Sequence, residues 1–260
     1  MTSPADFFRA RGLEPLAWDE VLRRVESLPD GVADEFTRRH RAFVAYPTEH
    51  TARAFYDFIA RQGLHALLAS HRFDRLVAIA AQVSPLLRDL PPDRARVLDV
   101  GAGGGFLARW LVEELRDSRG ATLSVTDLSP ATLDALAAQD FQAAGASNDS
   151  FDLILCADSL GEVHADEDEW LADPAHEDDP GFGEELEARY GLAHKLAALR
   201  PRLAPRASGF PSRVALFEPA PQAHFWRGAA RLLEGEGWSA KILGPDPTWG
   251  LILTQSDRGE

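Results

Sequence analysis

The 260-residue sequence contains a single cysteine, Cys156, which excludes a disulfide within the chain and a zinc site built from cysteines. No apolar run approaches the roughly eighteen residues that a membrane-spanning helix needs. The first residues carry neither a basic cluster nor an apolar core, so we expect no secretory signal and a cytoplasmic location. With 45% apolar and 26% charged residues, the composition is that of an ordinary soluble globular protein.

Positive charge is scarce relative to negative charge, because 41 Asp and Glu face 27 Lys and Arg. Thirteen of these acids lie in residues 158–187, a segment without any Lys or Arg, and the rest of the chain is nearly neutral. A protein that binds nucleic acid normally shows the opposite pattern, a basic stripe. Nucleic acid is therefore disfavoured as a partner. The acidic segment is either a solvated loop or a surface that attracts a cationic molecule.

One stretch combines a predicted strand, a glycine-rich turn and a predicted helix. The apolar run 97–100 is followed by glycines at 101, 103, 104 and 105, and apolar residues then recur at helical spacing. Glycines let the backbone approach a ligand, and the free N–H groups at a helix start point into the turn. A dinucleotide site would need another glycine where this chain has Phe106. Asp99 suits a ligand with an ammonium group and would repel a pyrophosphate.

The pattern D-x-G-x-G-x-G, which begins at Asp99, resembles motif I of the class I S-adenosylmethionine-dependent methyltransferases. A second match follows at the expected distance. A predicted strand over 121–127 ends in Asp127, and Leu128-Ser129-Pro130 resembles the run after the second strand in this family. An acid at this strand end accepts hydrogen bonds from a ribose. Ser129 is expected to cap the next helix, with Pro130 at its first position.

The resemblance covers residues 90–256 and implies the α/β fold of that family, a mostly parallel, doubly wound sheet with an antiparallel last strand. Only ten residues separate Pro130 from Asp140, so we expect a truncated third strand. Predicted strands over 151–157 and 214–217 continue the sheet, and an antiparallel pair over 239–243 and 249–254 closes it. We predict that residues 91–260 form the S-adenosylmethionine-binding methyltransferase domain.

Residues 1–90 are predicted to be helical, without a convincing strand. The clearest apolar face covers 73–84, and Pro85 is expected to end that helix. Farther along the chain, one helix is predicted over 184–203. In the family, helices ahead of motif I commonly cover the substrate, so we predict an N-terminal helical cap with Tyr46, Phe55 and Tyr56 as candidates for lining the pocket. The alternative is that these helices only enlarge the hydrophobic core and do not cover the substrate.

The resemblance implies S-adenosyl-L-methionine as the cofactor. The residues that match the family's cofactor site are Asp99, Gly101, Ala102, Gly103, Gly105, Asp127, Leu128, Asp140, Phe141 and Ala157. Asp158, after the fourth predicted strand, is a candidate for lining the substrate pocket. Glu162 and His164 stand where the family often places a base or a substrate-orienting residue. For His164, the alternative is a solvated loop histidine.

No metal site is predicted, although the acidic segment offers ligand types for a divalent ion. These residues are His164, Asp166, Asp168, His176 and Asp178, and their spacing matches no calcium loop. The predicted function is methyl transfer to nitrogen or oxygen of a small molecule or a peptide, with a cationic acceptor favoured by the acidic segment. One alternative is a ribosomal-RNA-type methyltransferase, which Leu160-Gly161-Glu162 and Glu218-Pro219 faintly resemble. The other is a non-catalytic binding module that keeps the cofactor fold.

Overall fold

The computed structural model describes residues 2–46, 48–145, 149–159, 181–205, 210–218, 223–244 and 248–255. Its strands are β1 (Arg96–Val100), β2 (Thr122–Thr126), β3 (Gln142–Ala143), β4 (Leu153–Ala157), β5 (Arg213–Phe217), β6 (Trp238–Leu243) and β7 (Gly250–Gln255). Its helices are α1 (Pro4–Arg9), α2 (Trp18–Glu26), α3 (Asp30–Ala45), α4 (Glu49–Arg61), α5 (His65–His71), α6 (Phe73–Arg88), α7 (Phe106–Leu115), α8 (Pro130–Ala137), α9 (Phe182–Tyr190), α10 (Leu192–Leu199) and α11 (Ala223–Gly235).

In the described part of the chain, the strands form one sheet in the order β3-β2-β1-β4-β5-β7-β6. All neighbours from β3 to β5 run parallel, whereas β7 is antiparallel to both β5 and β6. The third strand is only two residues long and pairs with β2. The predicted fold class is therefore confirmed, including the antiparallel last strand and the truncated third strand.

The central strands bury both of their faces, which explains why they are apolar along their whole length. Leu98 and Ile154 pack on one face against α9, α10 and α11. Their neighbours Val97 and Leu155 pack on the opposite face against α1, α6 and α7. The carboxyl edge of this rigid double-sided core is where the candidate site lies.

The N-terminal helices belong to two different cores. Helices α1 and α6 pack on the sheet, with Phe8 and Phe73 in contact at a ring-centroid distance of 6.5 Å. Helices α2 to α5 surround a separate aromatic core, in which Phe43 stacks on Phe55 at 5.7 Å. In the described residues before β1, all regular structure is helical, as predicted. The domain boundary near residue 90 stays a prediction.

Two predictions of helix ends were wrong. Helix α6 continues through Pro85 to Arg88, because Leu87 extends its buried face onto the sheet core and outweighs the missing proline N–H. The single helix predicted over 184–203 is broken at Gly191, whose φ of +57° ends α9 and begins α10. Glycine adopts this left-handed conformation without the steric cost that a side chain would bring.

Candidate active site

The site is built where the carboxyl ends of β2, β1, β4 and β5 lie side by side. The chain leaves β1 towards β2 on one side, and β4 lies on the other side of β1. In open parallel sheets, ligands bind in the crevice at such a switch point. Each of these strands ends in or next to an acid, namely Asp99, Asp127, Asp158 and Glu218. The predicted site residues of β1, β2 and β4 are thus brought to one edge.

The turn after β1 requires glycine at several positions. Gly101, Gly103 and Gly105 have φ values of +71°, +52° and +75°. A Cβ on Gly101 would lie 2.5 Å from the Cβ of Ser159, and one on Gly105 would lie 2.7 Å from a Leu136 methyl group. At Gly103, the nearest atom to such a Cβ is 4.0 Å away. The turn is packed on both flanks and has free space at its middle glycine.

Asp99 is buried, with 2% of its surface exposed, and is the second-last residue of β1, just ahead of the glycines. Its Oδ2 atom has no hydrogen-bond partner among the described residues. Burial, with a contribution from the Asp127 carboxylate, raises the pKa of Asp99 to about 8. A buried carboxyl without a partner is costly, so its presence points to a ligand group that donates to it.

Asp127 follows β2 and holds the glycine turn. Its Oδ2 accepts a hydrogen bond from the Gly103 N–H at 3.0 Å, and its Oδ1 accepts one from the Ser129 N–H at 2.9 Å. Burial raises the pKa of Asp127, while these two N–H groups and that of Leu128 oppose the shift. Ser129 caps α8 by accepting from the Thr132 N–H at 3.0 Å, as predicted. The carboxylate is therefore fixed relative to the turn.

The remaining predicted cofactor residues surround this turn. Phe141 lies beside Gly105, in the apolar cluster that also contains Ala102 and Leu136, and the Arg109 guanidinium lies 5.8 Å from its ring centroid. Asp140 is exposed with a φ of +65°, and Leu128 is 36% exposed. Ala157 is partly buried at the end of β4. All of these roles stay predictions.

Asp158 is already engaged by two arginines of the N-terminal helices. Its Oδ1 lies 2.6 Å from Nη2 of Arg75 and its Oδ2 lies 3.3 Å from Nη1 of Arg72. Its side chain is 13% exposed, and its φ is +52°. This carboxylate therefore ties α6 to the end of β4, so any contact it makes with a substrate comes in addition to that ion pair.

The end of β5 carries a further buried acid, Glu218, whose Oε1 accepts a hydrogen bond from the Ser159 N–H at 3.1 Å. Lys195 of α10 is close enough for this carboxylate to raise its pKa, although burial lowers the pKa more. Between the strand ends lies the Cys156 thiol, whose pKa is raised well above its ordinary value, chiefly by burial. This environment makes Cys156 an inert core residue.

The three aromatic residues predicted to line a pocket occupy different environments. Tyr46 is 72% exposed at the end of α3, whereas Phe55 is 3% exposed within the aromatic core of α2 to α5. Tyr56 packs partly buried against Phe55. Glu162 and His164 lie outside the described residues, as does the part of the acidic segment from 160 to 180.

Residues of the N-terminal helices that sequence analysis missed also reach the site. They are Asp57, His65, Arg72 and Arg75. A Cβ on Gly104 would lie 2.8 Å from the His65 Cβ, so α5 covers the glycine turn directly. Nothing in the local sequence marks these residues, because their contacts depend on how distant helices pack.

Two features are absent from the described residues. No group of three or more His, Cys, Asp and Glu side chains is arranged to hold a metal ion. None of the helices in this part of the chain combines the length and the apolar character needed to cross a bilayer.

Comparisons with known proteins add a family match. A family described as a methyltransferase domain matches residues 68–173, which include α6, the glycine turn and Asp127. No curated protein matches the chain.

Solved structures give distant matches. DesVI of Streptomyces venezuelae is 13% identical over 75% of this chain and 98% of its own, with a TM-score of 0.45. The sugar N-methyltransferase KedS8 of a Streptoalloteichus species is 15% identical over 70% and 88%, with a TM-score of 0.44. The mitomycin 7-O-methyltransferase MmcR is 15% identical over 92% and 75%, with a TM-score of 0.45.

Proposed function

We propose that this chain, a methyltransferase with the class I fold, uses S-adenosylmethionine to methylate nitrogen or oxygen of a small molecule or a peptide. When bound, S-adenosylmethionine supplies a methyl group that its sulfonium already activates. The chain's own residues then have to hold donor and acceptor in line and keep water away from them. The observation that carries the proposal is the buried Asp99 carboxyl with its unpartnered Oδ2 atom.

The residues around Asp99 fit the chemical groups of this cofactor. Asp99 would accept hydrogen bonds from the ammonium group of the methionine part, which supplies the missing partner of Oδ2. Asp127 would accept from the ribose hydroxyls, since the two oxygens of a carboxylate offer about four acceptor positions and backbone N–H groups do not fill them all. The free space at Gly103 lets a ligand approach the backbone. Phosphate groups fit poorly beside two acids.

The other cofactor contacts are assigned by position around the glycine turn. We assign the main-chain contacts to Gly101, Ala102 and Gly105 and the adenine contacts to Leu128, Asp140 and Phe141. Ala157 is assigned to the wall at the end of β4. The exposure of Leu128 and the position of Phe141 beside Gly105 support the adenine assignment.

The acceptor is proposed to bind over the ends of β4 and β5, beneath the N-terminal helices. Tyr46, Tyr56 and Asp158 are the proposed lining residues, and Phe55, predicted as a fourth, supports them from the core of α2 to α5. Glu162 and His164 are candidates for a base that removes a proton from the acceptor. The exposed Tyr46 offers a surface, whereas Phe55 acts through the core that positions α4. A cationic acceptor is supported by the charge of residues 158–187 and not by Asp158 alone, since arginines already pair with that carboxylate.

Calorimetry with S-adenosylhomocysteine tests the donor site. We expect wild-type protein to bind it and Asp99→Asn to bind it at least about tenfold more weakly, because a hydrogen bond to a charged group is lost. The matched control is Asp117→Asn, since Asp117 is 93% exposed and outside the site. Absence of binding by the folded wild type would contradict the proposal.

The acceptor class is tested by measuring S-adenosylhomocysteine release with a panel of small molecules. The panel pairs amines with neutral alcohols and carboxylic acids of similar size, and each compound is assayed at low and high salt. A cationic acceptor predicts turnover with amines that falls as salt rises, because salt screens the attraction to the acidic segment. Turnover restricted to acids would overturn the cationic assignment and leave methyl transfer intact.

A further inference from the structure

A carboxylate of the N-terminal helices contacts the start of α8, next to the acid assigned to the ribose. Asp57 lies on α4, and its Oδ1 accepts a hydrogen bond from the Ser129 hydroxyl at 2.5 Å. The same oxygen lies 3.4 Å from the Ala131 N–H. Asp57 therefore occupies the positive end of α8, where a helix favours a negative charge.

Ser129 connects this contact to the glycine turn. Its N–H donates to Asp127, and Asp127 accepts from Gly103 through its other oxygen. The hydrogen bonds thus run without a gap from α4 to the middle glycine of the turn. A shift of α4 would move the Ser129 side chain, and with it the amide that holds Asp127.

We propose that Asp57 is a positioning residue for the donor site, which sets the orientation of Asp127 through Ser129 and so couples the N-terminal helices to S-adenosylmethionine binding. This inference rests on the proposed function. It gives these helices a role at the donor, in addition to the cover over the acceptor that the family resemblance implies.

A second contact of the N-terminal helices supports the same coupling. His65 of α5 lies against Gly104 on one side, and its Nε2 is 3.4 Å from the Thr132 hydroxyl of α8 on the other. Burial lowers the pKa of His65, which favours its neutral form. Helices α4 and α5 therefore both bridge to the α8 start, and α5 also contacts the turn.

The pKa of Asp127 distinguishes two roles for Asp57. If Asp57 positions Asp127, its charge influences that pKa, whereas a residue that only anchors α4 does not. Asp57 and Asp99 are the described carboxylates near Asp127, while His65 approaches α8 and Arg61 lies 3.8 Å from the other oxygen of Asp57. Burial raises the pKa of Asp127 most, and the negative charge of Asp57 raises it further. The ionised form of Asp127 favours ribose binding, so affinity is expected to fall as the pH drops through the pKa of Asp127, in addition to the fall near pH 8 that protonation of Asp99 brings in wild type and variants alike.

The experiment measures the affinity of the full chain for S-adenosylhomocysteine by calorimetry between pH 5 and 9. Asp57→Asn can still accept a hydrogen bond from Ser129 but lacks the negative charge that raises the pKa of Asp127. As the pH is lowered, this variant is therefore expected to lose affinity at a lower pH than wild type. Asp57→Ala also removes the hydrogen bond and is expected to weaken binding about tenfold at pH 8. Glu49→Gln is the control, because it removes a negative charge from the same helix at a side chain that is 71% exposed and paired with Arg53.

The outcomes separate this inference from the proposed function. If wild type binds but the acid limb of Asp57→Asn coincides with that of wild type and of Glu49→Gln, the inference is overturned and the proposed function stands. Unchanged affinity of a folded Asp57→Ala variant would also overturn it. If Asp57→Ala does not fold, the pH shift of Asp57→Asn decides. Failure of the wild type to bind at any pH removes both.

Discussion

One acid in each half of the carboxyl edge shows a contrast, because Asp99 has an oxygen without a partner among the described residues whereas Asp158 is paired with two arginines. At the β1–β2 edge, formed by Asp99, residues 101–105 and Asp127, backbone N–H groups donate to Asp127, and the Asp99 Oδ2 atom has no partner among the described residues. At the β4–β5 edge, formed by residues 157–159 and Glu218, Arg72 and Arg75 pair with the Asp158 carboxylate. A paired carboxylate links two elements of the fold, whereas a buried carboxyl group without a partner is costly until a ligand supplies one.

The largest expected effect concerns Asp99, the buried carboxyl group whose Oδ2 atom has no partner among the described residues. Its folded-state pKa of about 8 lies above the ordinary 3.8, so the stability it contributes is full below pH 4 and is lost as the pH rises towards 8. Between pH 5 and 8, wild type should lose roughly 2–4 kcal/mol more unfolding free energy than Asp99→Asn. Urea unfolding without ligand at both pH values measures this difference.

Asp117→Asn serves as the control for this comparison, because Asp117 is exposed. Its unfolding free energy should change with pH as that of wild type does. Parallel pH profiles for wild type and Asp99→Asn would mean that Asp99 finds a partner in solution, and the contrast between the two edges would disappear.

The next effect concerns Asp127, the acid that the β1–β2 edge holds by backbone groups. Asp127→Ala should weaken S-adenosylhomocysteine binding by roughly 1–3 kcal/mol, since hydrogen bonds to a charged group are lost. Asp134→Ala, an exposed change on α8, provides the control. Calorimetry that finds equal affinities for the two folded variants would remove Asp127 from the site.

The smallest effect concerns the ion pair of Asp158 with Arg72 and Arg75 at the β4–β5 edge. Arg75→Met should lower the free energy of unfolding by about 1–2 kcal/mol, because Asp158 is largely buried but keeps Arg72 as a partner. Adding Asp158→Asn should restore part of the loss, and asparagine tolerates the positive φ of this position.

Arg53→Met is the surface control for this ion pair, with an expected change below about 0.5 kcal/mol, because Arg53 and Glu49 are exposed. Urea unfolding at pH 7 compares the variants. A loss for Arg75→Met no larger than that of the control would show that the ion pair does not anchor α6.

Local patterns were sufficient for most of the sheet. The apolar runs, the glycine turn and the Ser129-Pro130 cap predicted the strands and the start of α8, because each depends on neighbours within a few residues. The breaks were harder to predict. Pro85 was expected to end α6, but burial of Leu87 kept the helix intact, and Gly191 divided a helix that its apolar stripe favoured as continuous.

By itself, the sequence determined the strand, the glycine turn and the helix around Asp99, and also the acid at the end of β2. Backbone sterics and the spacing of apolar residues fix these features within a short stretch. Only the tertiary structure decided which distant side chains meet them. Asp57 reaches Ser129 across 72 residues, and Arg75 reaches Asp158 across 83. Such contacts leave no periodic pattern in the sequence, because the packing of α4 and α6 against the sheet domain decides which side chains meet. A carboxylate that this packing buries then needs a donor or a cation beside it.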